Sequence, residues 1–194
     1  ANRSFATKKI GTVGPVLPGY EFEIRDPEGK VLGRNEDGLL WVRGPSVFSG
    51  YFRSPDMTAE RIVDGWFNTG DIVRVDSDGY IEILDRASDL IIVGGFNVYP
   101  QEIETVLNEV PGVLMSAVIG IPNAVSGEVP KAFVIPREGA DLSAQALISY
   151  AKENLAHYKV PRKVEFVTEL PLSSVGKVLR RELRRLEKSQ DRES

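Results

Sequence analysis

The stretch that decides the fold is GYIEILDRASDLIIVGGFNVYPQEIE, residues 79–104, which changes character along its length. Its first part carries closely spaced apolar residues and predicts a strand over 80–84. Residues 85–89 then place three charges among five positions, and a second apolar run over 90–93 follows. A short charged joint between two predicted strands indicates a boundary between two folding units, which we place at Asp85.

A glycine pair, Gly94 and Gly95, follows the second apolar run. Glycine adopts positive φ without strain and lets a backbone come close to a ligand. The pair therefore predicts either an ordinary tight turn or a turn that lies against a ligand. Pro100 then opens a segment with apolar residues at helical spacing, which predicts a helix over about 101–110.

Upstream of the joint, short apolar runs are separated by glycines, the pattern of a small β-barrel or sandwich. We predict strands over 20–25, 39–42 and 47–52 after a Gly- and Pro-rich loop that occupies residues 1–18. The segment 54–60 has a Ser or Asp at its start and a Glu in its first turn, which predicts a capped helix that ends at the following Asp-Gly pair.

Downstream of the joint, predicted helices alternate with short strands, which favours a small mixed sheet covered by helices. Ser143 is the predicted N-cap of one helix. The fold class is therefore α+β, a small β-rich part followed by a compact mixed α+β part, with a polar tail over 189–194. The predicted strands cover 113–121, 129–135 and 164–167, and the last helix carries a stripe of Leu179, Leu183 and Leu186.

Composition excludes several classes of function. The 194 residues are 42% hydrophobic and 27% charged, as in a soluble globular protein, and a net charge of −4 gives no reason to expect nucleic-acid binding. The absence of cysteine excludes disulfides, a Cys-based zinc site and a catalytic thiol. The single histidine, His157, has no acid–base partner nearby in sequence, and we interpret it as structural. No apolar run has the length of a membrane span. A cytoplasmic location is the default, and because Ala1 is not preceded by Met we expect a processed or excised chain.

Three ordered blocks carry a resemblance to a known family. They are GWFNTGD at 65–71, the pattern DR-x-x-D-x-I-x-x-x-GF-x-V-x-P-x-EIE from Asp85, and LPLSSVGKVLR at 170–180. Together they are similar to the adenylate-forming superfamily of acyl- and aryl-CoA ligases, luciferases and peptide-synthetase adenylation domains. GFNVYP and HYKVPRKVEFVTELP look most like bacterial long-chain fatty-acid–CoA ligases.

The resemblance implies two domains and a hinge. Residues 1–84 would be the β-rich end of a large AMP-binding domain, and 85–194 would be the mobile C-terminal domain, with the hinge at Asp85. The several hundred residues that precede this part in the family would be a missing N-terminal portion, which is the expected protein partner.

The resemblance also implies a nucleotide site at Asp71 and Arg86. A carboxylate at the end of a tight turn can accept both hydrogen bonds of a ribose diol, although such an Asp is often only a turn residue. Arg86 would lie near the ribose and phosphate, where a planar fork of donors is suitable. The alternative for Arg86 is a surface ion pair with Asp89.

The predicted catalytic residue is Lys177, which follows a glycine in a polar loop that we expect to be mobile. In the family this lysine bridges the substrate carboxylate and the nucleotide; the alternative is an ordinary surface lysine. Gly94 and Gly95 would line the channel for the CoA pantetheine. Ser88 and Ile92 stand where many relatives have lysines, which puts secondary phosphate contacts in doubt.

A basic run near the end of the chain has two readings. It could meet the CoA phosphates, but such runs are usually solvated, and we predict an exposed face of the last helix. The run consists of Arg180, Arg181, Arg184, Arg185 and Lys188.

The implied activity is that of an ATP-dependent fatty-acyl-CoA ligase, which forms an acyl-adenylate and then a thioester. Its small-molecule partners would be a fatty acid, ATP and CoA, and Mg²⁺ is expected with its ligand outside this chain. We assign no metal ligand here and no nucleic-acid partner, and we leave open a peripheral association with membranes. The alternatives are an aryl-CoA ligase of the same superfamily and a non-catalytic binding or assembly module that retains the fold.

Overall fold

The computed structural model describes residues 8–190, and the first seven residues of the predicted loop and the tail after 190 lie outside the described residues. The chain forms two compact units, Ala1–Ser88 and Asp89–Ser194. Each described unit is built on one β-sheet, with helices beside the strands, so the predicted α+β class is confirmed. The hinge at Asp85 stays a prediction.

The first unit is a five-stranded antiparallel sheet with one helix. The strand order is β1-β2-β4-β3, and β5 also pairs with β4. Alternate apolar side chains from β1, β2, β4 and β5 form the core on one face of this sheet. The elements are β1 (Glu21–Arg25), β2 (Asp37–Arg43), α1 (Pro55–Arg61), β3 (Ile62–Val63), β4 (Trp66–Val75) and β5 (Ile81–Arg86).

Three predictions for this unit are wrong. Its described residues form a single open sheet, not a barrel or sandwich, and residues 47–52 form a loop, not a strand. The apolar side chains of that loop pack through ring contacts, with the Phe48 ring edge-on to those of Tyr51 and Phe67 at centroid distances of 5.0 and 5.2 Å. The backbone N–H of Tyr51 donates to Thr58 Oγ1 of α1 and not to a neighbouring strand. The helix α1 ends at Arg61, before the predicted stop, because β3 begins immediately after it.

The second unit is a mixed sheet in the order β10-β9-β6-β7, with β8 paired to β9. Only the β10–β9 pair is parallel among its described strands. Ser143 caps α3 as predicted, since its side chain accepts a hydrogen bond from the Ala146 N–H. The elements are β6 (Ile91–Val93), β7 (Phe96–Val98), α2 (Pro100–Asn108), β8 (Val113–Asn123), β9 (Gly127–Pro136), α3 (Ala144–Asn154), a 3₁₀ helix (His157–Lys159), β10 (Lys163–Phe166) and α4 (Arg180–Gln190).

Strand β8 divides its apolar side chains between two cores. Val118 belongs to the core that α2 and α3 cover, whereas its neighbours Ala117 and Ile119 belong to the core that contains Leu183 of α4. Successive side chains of a strand point to opposite faces, so one continuous apolar strand can support helices on both sides. No described helix is long and apolar enough to cross a membrane.

The predicted leucine stripe of α4 is only partly correct. Leu183 is buried, but Leu179 and Leu186 are exposed, and the buried position one turn after Leu183 is Glu187. This carboxylate is tolerated because it faces the amine of Lys131, 2.5 Å away. Periodicity alone could not identify this pair, since a Glu among basic residues is typical of a solvated face.

Limited trypsin digestion should cut the Arg86–Ala87 bond and leave a stable piece that starts at Ala87. Arg86, Ala87 and Ser88 are exposed at the end of β5, where the two compact units meet in sequence. Exposed connections between compact units are the usual sites of nicking. N-terminal sequencing and intact mass of the resistant piece check this. A first cut within β8 or β9 would contradict the two-unit division.

Candidate active site

The two predicted nucleotide-binding residues lie opposite each other on neighbouring strands. Asp71 of β4 pairs with Arg86 of β5, and Arg86 Nε is 3.0 Å from Asp71 Oδ1. Arg86 Nη1 also donates to the Thr69 carbonyl at 3.0 Å. The Asp71 side chain is 18% exposed and the Arg86 side chain is 59% exposed. The carboxylate is therefore mostly covered, whereas its guanidinium partner is accessible to solvent.

Asp71 lies within a strand, not at the end of a tight turn as predicted. The backbone just before it is nevertheless irregular, because Gly70 has a φ of +74°, a conformation that favours glycine. Side chains satisfy the local N–H groups: Asn68 Oδ1 accepts from Gly70 N at 2.9 Å, and Thr69 Oγ1 accepts from Asp71 N at 3.1 Å. The NTGD sequence thus builds a kink into β4 directly beside the acid.

A register shift in β5 fixes the pairing. The ladder shifts between Ile72 and Val73, so that Asp85 faces Ile72 and Arg86 faces Asp71. Asp85 is buried, and its Oδ1 accepts from the Arg86 N–H at 2.7 Å. The predicted hinge residue is therefore part of the sheet of the first unit, and the exposed turn begins only after Arg86.

A cleft of about 310 Å³ opens beside Arg86, within the first unit, and Asp71 is not one of the residues that line it. Thr69, Gly70, Arg86 and Ser88 form part of its wall, and so does Arg61, the last residue of α1. Sequence reasoning missed Arg61, because no motif includes it and only the folded sheet brings position 61 close to position 86.

Lys177 lies in a closed turn of the second unit. Leu172 and Val178 form a bridge around it, Ser173 N donates to Lys177 O at 2.7 Å, and Lys177 N donates to Ser173 Oγ at 3.0 Å. Gly176 has a φ of +77°, which the turn requires. The lysine side chain is exposed, and its backbone is hydrogen-bonded within the loop that we predicted to be mobile.

Gly94 and Gly95 form the two-residue turn between β6 and β7. Their φ angles are +57° and +88°, the positive values that a tight hairpin turn demands. A β-carbon at either position would meet nothing within 4 Å. The glycines are therefore explained by turn geometry, and the space beside them is open. Their role in a CoA channel stays a prediction.

An ion-pair cluster fixes the start of α4, where a solvated basic face was predicted. Arg180 and Arg184 are half-buried in this cluster, whereas the rest of the basic run, Arg181, Arg185 and Lys188, is exposed as predicted. Arg180 holds Glu104 through two bonds, of 2.6 and 3.2 Å, and lies 3.4 Å from Asp89. Arg184 donates to Asp89 at 2.9 Å. Glu104 also accepts from the Val118 N–H at 2.8 Å. Asp89 is thus a partner of α4, and the cluster ties the start of α4, just after the Lys177 turn, to α2 and β8.

Comparison with known families matches both units. The family model described as AMP-binding enzyme matches residues 2–52, and the family model described as AMP-binding enzyme C-terminal domain matches residues 102–177. The chain belongs to the adenylate-forming superfamily of AMP-binding enzymes. The second match ends at Lys177, whereas Asp71, Arg86 and the glycine pair lie between the two matched segments.

Similar proteins are ligases of different acids. The long-chain-fatty-acid–CoA ligase of Yersinia pestis is 49% identical over 90% of this chain and 31% of its own length. The feruloyl-CoA synthase of an Amycolatopsis species is 42% identical over 95% of this chain and 38% of its own. The crystal structure of ATP-bound MatB from Rhodopseudomonas palustris matches with a TM-score of 0.87 and 45% identity, over 92% of this chain and 36% of that one. The chain therefore spans about a third of the length of the curated relatives it matches.

Proposed function

We propose that the chain is part of an ATP-dependent acid–thiol ligase that makes acyl-CoA thioesters. The observation that carries this proposal is the Asp71–Arg86 pair, whose arginine lines a cleft, in a chain of the adenylate-forming superfamily. In the first step a carboxylate oxygen attacks the α-phosphorus of ATP and pyrophosphate leaves. In the second step the CoA thiol attacks the acyl carbon and AMP leaves.

In this proposal Asp71 accepts hydrogen bonds from the ribose diol. An acceptor-only carboxylate suits two hydroxyl donors. Arg86 fixes the orientation of Asp71 through Nε, and Nη2, which has no partner among the described residues, can donate to the phosphate or ribose oxygens.

The residues of the second unit serve the two steps separately. Lys177 places its ammonium beside the α-phosphate and the attacking carboxylate, where it stabilises the developing negative charge. The Gly94–Gly95 turn lines the route of the thiol, because the open space beside it has no side chain to obstruct a narrow chain. Hinge motion at or near Asp85 exchanges the two arrangements.

No metal step is assigned to residues of this chain. Among the described residues no group of three or more His, Cys, Asp or Glu side chains is placed to hold a metal ion. We propose that Mg²⁺ neutralises the phosphates from ligands outside the chain, and that ATP and CoA bind as co-substrates in the cytoplasm.

The acid that we propose is a long-chain fatty acid. The support is the GFNVYP and HYKVPRK sequences and the 49% identity to a ligase of that name. An aromatic acid is the second candidate, because a feruloyl-CoA synthase matches over 95% of the chain.

A chimera tests the activity. Residues 1–194 replace the matching segment of the Yersinia pestis ligase, and acyl-adenylate and acyl-CoA formation are measured with fatty and aromatic acids. We expect turnover of fatty acids, and Asp71→Ala should raise the KM for ATP about tenfold, since a charged hydrogen bond contributes about that factor. The chain alone should show no carboxylate-dependent ATP–pyrophosphate exchange.

The chimera also separates the alternatives. A folded chimera that binds ATP but forms neither product would favour a non-catalytic module. Circular dichroism and thermal unfolding serve as controls for folding. Unchanged kinetics in Asp71→Ala would remove the ribose assignment.

A further inference from the structure

We infer that Arg61 is a second phosphate-binding cation, which acts beside Arg86 in the cleft of the first unit, an assignment that rests on the proposed function. Arg61 lies outside the three sequence blocks that carry the family resemblance. It reaches the cleft because α1 ends there and passes directly into β3, the strand that pairs with the start of β4.

The geometry brings two guanidinium groups to one point. At Gly70, the position of a β-carbon would be 3.1 Å from Arg61 Nη1 and 3.8 Å from Arg86 Nη1. The two nitrogens are therefore separated by at most the sum of these distances, 6.9 Å. Hydrogen bonds of about 2.9 Å to two oxygens of one phosphate group can bridge such a gap. Glycine at position 70 leaves this space open.

Arg61 is weakly engaged by the protein. Among the described residues its one ion pair is with the adjacent Glu60, at 3.6 Å from Nε, beyond hydrogen-bond length. By contrast, Arg43 of the same unit holds Glu21 at 2.7 Å. The terminal nitrogens of Arg61 are consequently able to donate to a ligand. Arginine forks are well matched to phosphate oxygens.

The surroundings favour a phosphate chain over an isolated carboxylate. Arg86 contacts Asp71 through Nε and reaches towards Gly70 with Nη1, the side from which Arg61 also arrives. A ribose at Asp71 would therefore direct its phosphates past Arg86 to Arg61. Ser88 supplies no charge to the wall of the same cleft, whose charged residues are Arg61, Arg86 and the 72% exposed Glu60, so Arg61 is its second cation. A cleft of about 310 Å³ is large enough for a small ligand.

The test uses the 194-residue chain with ¹⁵N-labelled arginine. The Nε–H resonance of Arg61 is followed by NMR during titration with ATP, AMP, adenosine or inorganic pyrophosphate at constant ionic strength. We expect ATP and pyrophosphate to shift this resonance, and adenosine to leave it unchanged. Arg61→Gln should weaken ATP binding roughly tenfold, and Arg61→Lys should recover part of the loss.

Arg43→Gln is the matched control, because its side chain is 45% exposed against 37% for Arg61 and lies in the same unit. If it weakens ATP binding as much as Arg61→Gln does, the effect is general charge attraction and the inference is overturned. If Arg61→Gln does not fold, the shift of the Arg61 resonance in the unmodified chain decides.

The arms distinguish this inference from the proposed function. Unchanged ATP affinity in Arg61→Gln, with weaker AMP binding in Asp71→Ala, overturns the inference and retains the nucleotide site. If Arg61→Gln weakens pyrophosphate binding while Asp71→Ala leaves the affinity for adenosine unchanged, the phosphate subsite is supported and the ribose assignment is removed. No response of the unmodified chain to any of the four ligands overturns both.

Discussion

Lys177→Ala should slow acyl-adenylate formation by about 10²–10³ in the chimeric enzyme and leave the thioester step from pre-made acyl-adenylate nearly unchanged. Loss of one charge-stabilising donor from a polar transition state commonly has that effect. The turn should survive the change, because Lys177 supports it with its backbone N–H and carbonyl and not with its exposed side chain. Lys152→Ala, an exposed lysine of α3, is the control.

Gly95→Leu should show the opposite pattern, with a slow thioester step and near-normal adenylation. A leucine has room within the unit, so its effect comes from obstruction of the thiol route together with strain at a φ of +88°. Gly139→Leu separates the two causes, since Gly139 has a φ of +73° and equally open space. Single-turnover rates of each step decide. Equal damage to both steps by Lys177→Ala and Gly95→Leu would contradict the two-orientation mechanism.

Lys131→Ala should lower the free energy of unfolding of the second unit by about 3–5 kcal/mol, because removal of one member of a buried ion pair leaves the other uncompensated. The side chains of Lys131 and Glu187 are each only 7% exposed, with 2.5 Å between Nζ and Oε2. Glu165 contacts the same amine at 2.8 Å. Urea unfolding measures the loss. The double variant Lys131→Met with Glu187→Leu should lose much less unfolding free energy than Lys131→Ala. An equal loss in the two variants would show that the uncompensated charge is not the cause.

The same pair predicts a pH dependence. Burial lowers the pKa of Lys131, but hydrogen bonds with Glu165 and Glu187 outweigh it and raise the pKa above its ordinary value of 10.5. A raised folded-state pKa stabilises the fold fully below the unfolded pKa, and this stability is lost as the pH rises through the folded pKa. The unfolding free energy should therefore fall at pH values above 10.5, and this fall should be smaller in the double variant.

The sequence was sufficient where local chemistry decides the structure. Ser143 caps its helix, Pro100 opens α2, and the glycine pair makes a tight turn. The WFNTGD and DR blocks also contain Asp71 and Arg86, whose side chains the fold brings to 3.0 Å from each other, while their role in nucleotide binding stays a prediction. Each of these outcomes depends on neighbouring residues, or on a motif whose members act together.

The sequence was insufficient where distant residues satisfy each other. The sequence predicts a solvated Glu187, but in the fold its carboxylate accepts a hydrogen bond from Lys131, which lies 56 positions earlier. Arg61 enters the cleft only because α1 passes into β3. Residues 47–52 are apolar enough to predict a strand, but they form a loop in which the ring of Phe48 packs against those of Tyr51 and Phe67. Neither periodicity nor composition contains such pairings.

The Arg180 cluster has a kinetic consequence. It joins the start of α4, just after the Lys177 turn, to α2, which begins five residues after Gly95, and the lysine and the glycine turn belong to the same compact unit. Under the proposed mechanism that unit presents one of them to the nucleotide at a time, and the fractions of molecules in the two orientations add up to one. A change that favours one orientation must therefore deplete the other. The net turnover should be greatest when neither orientation dominates, so a variant that accelerates one half-reaction by orientation alone would slow the complete cycle.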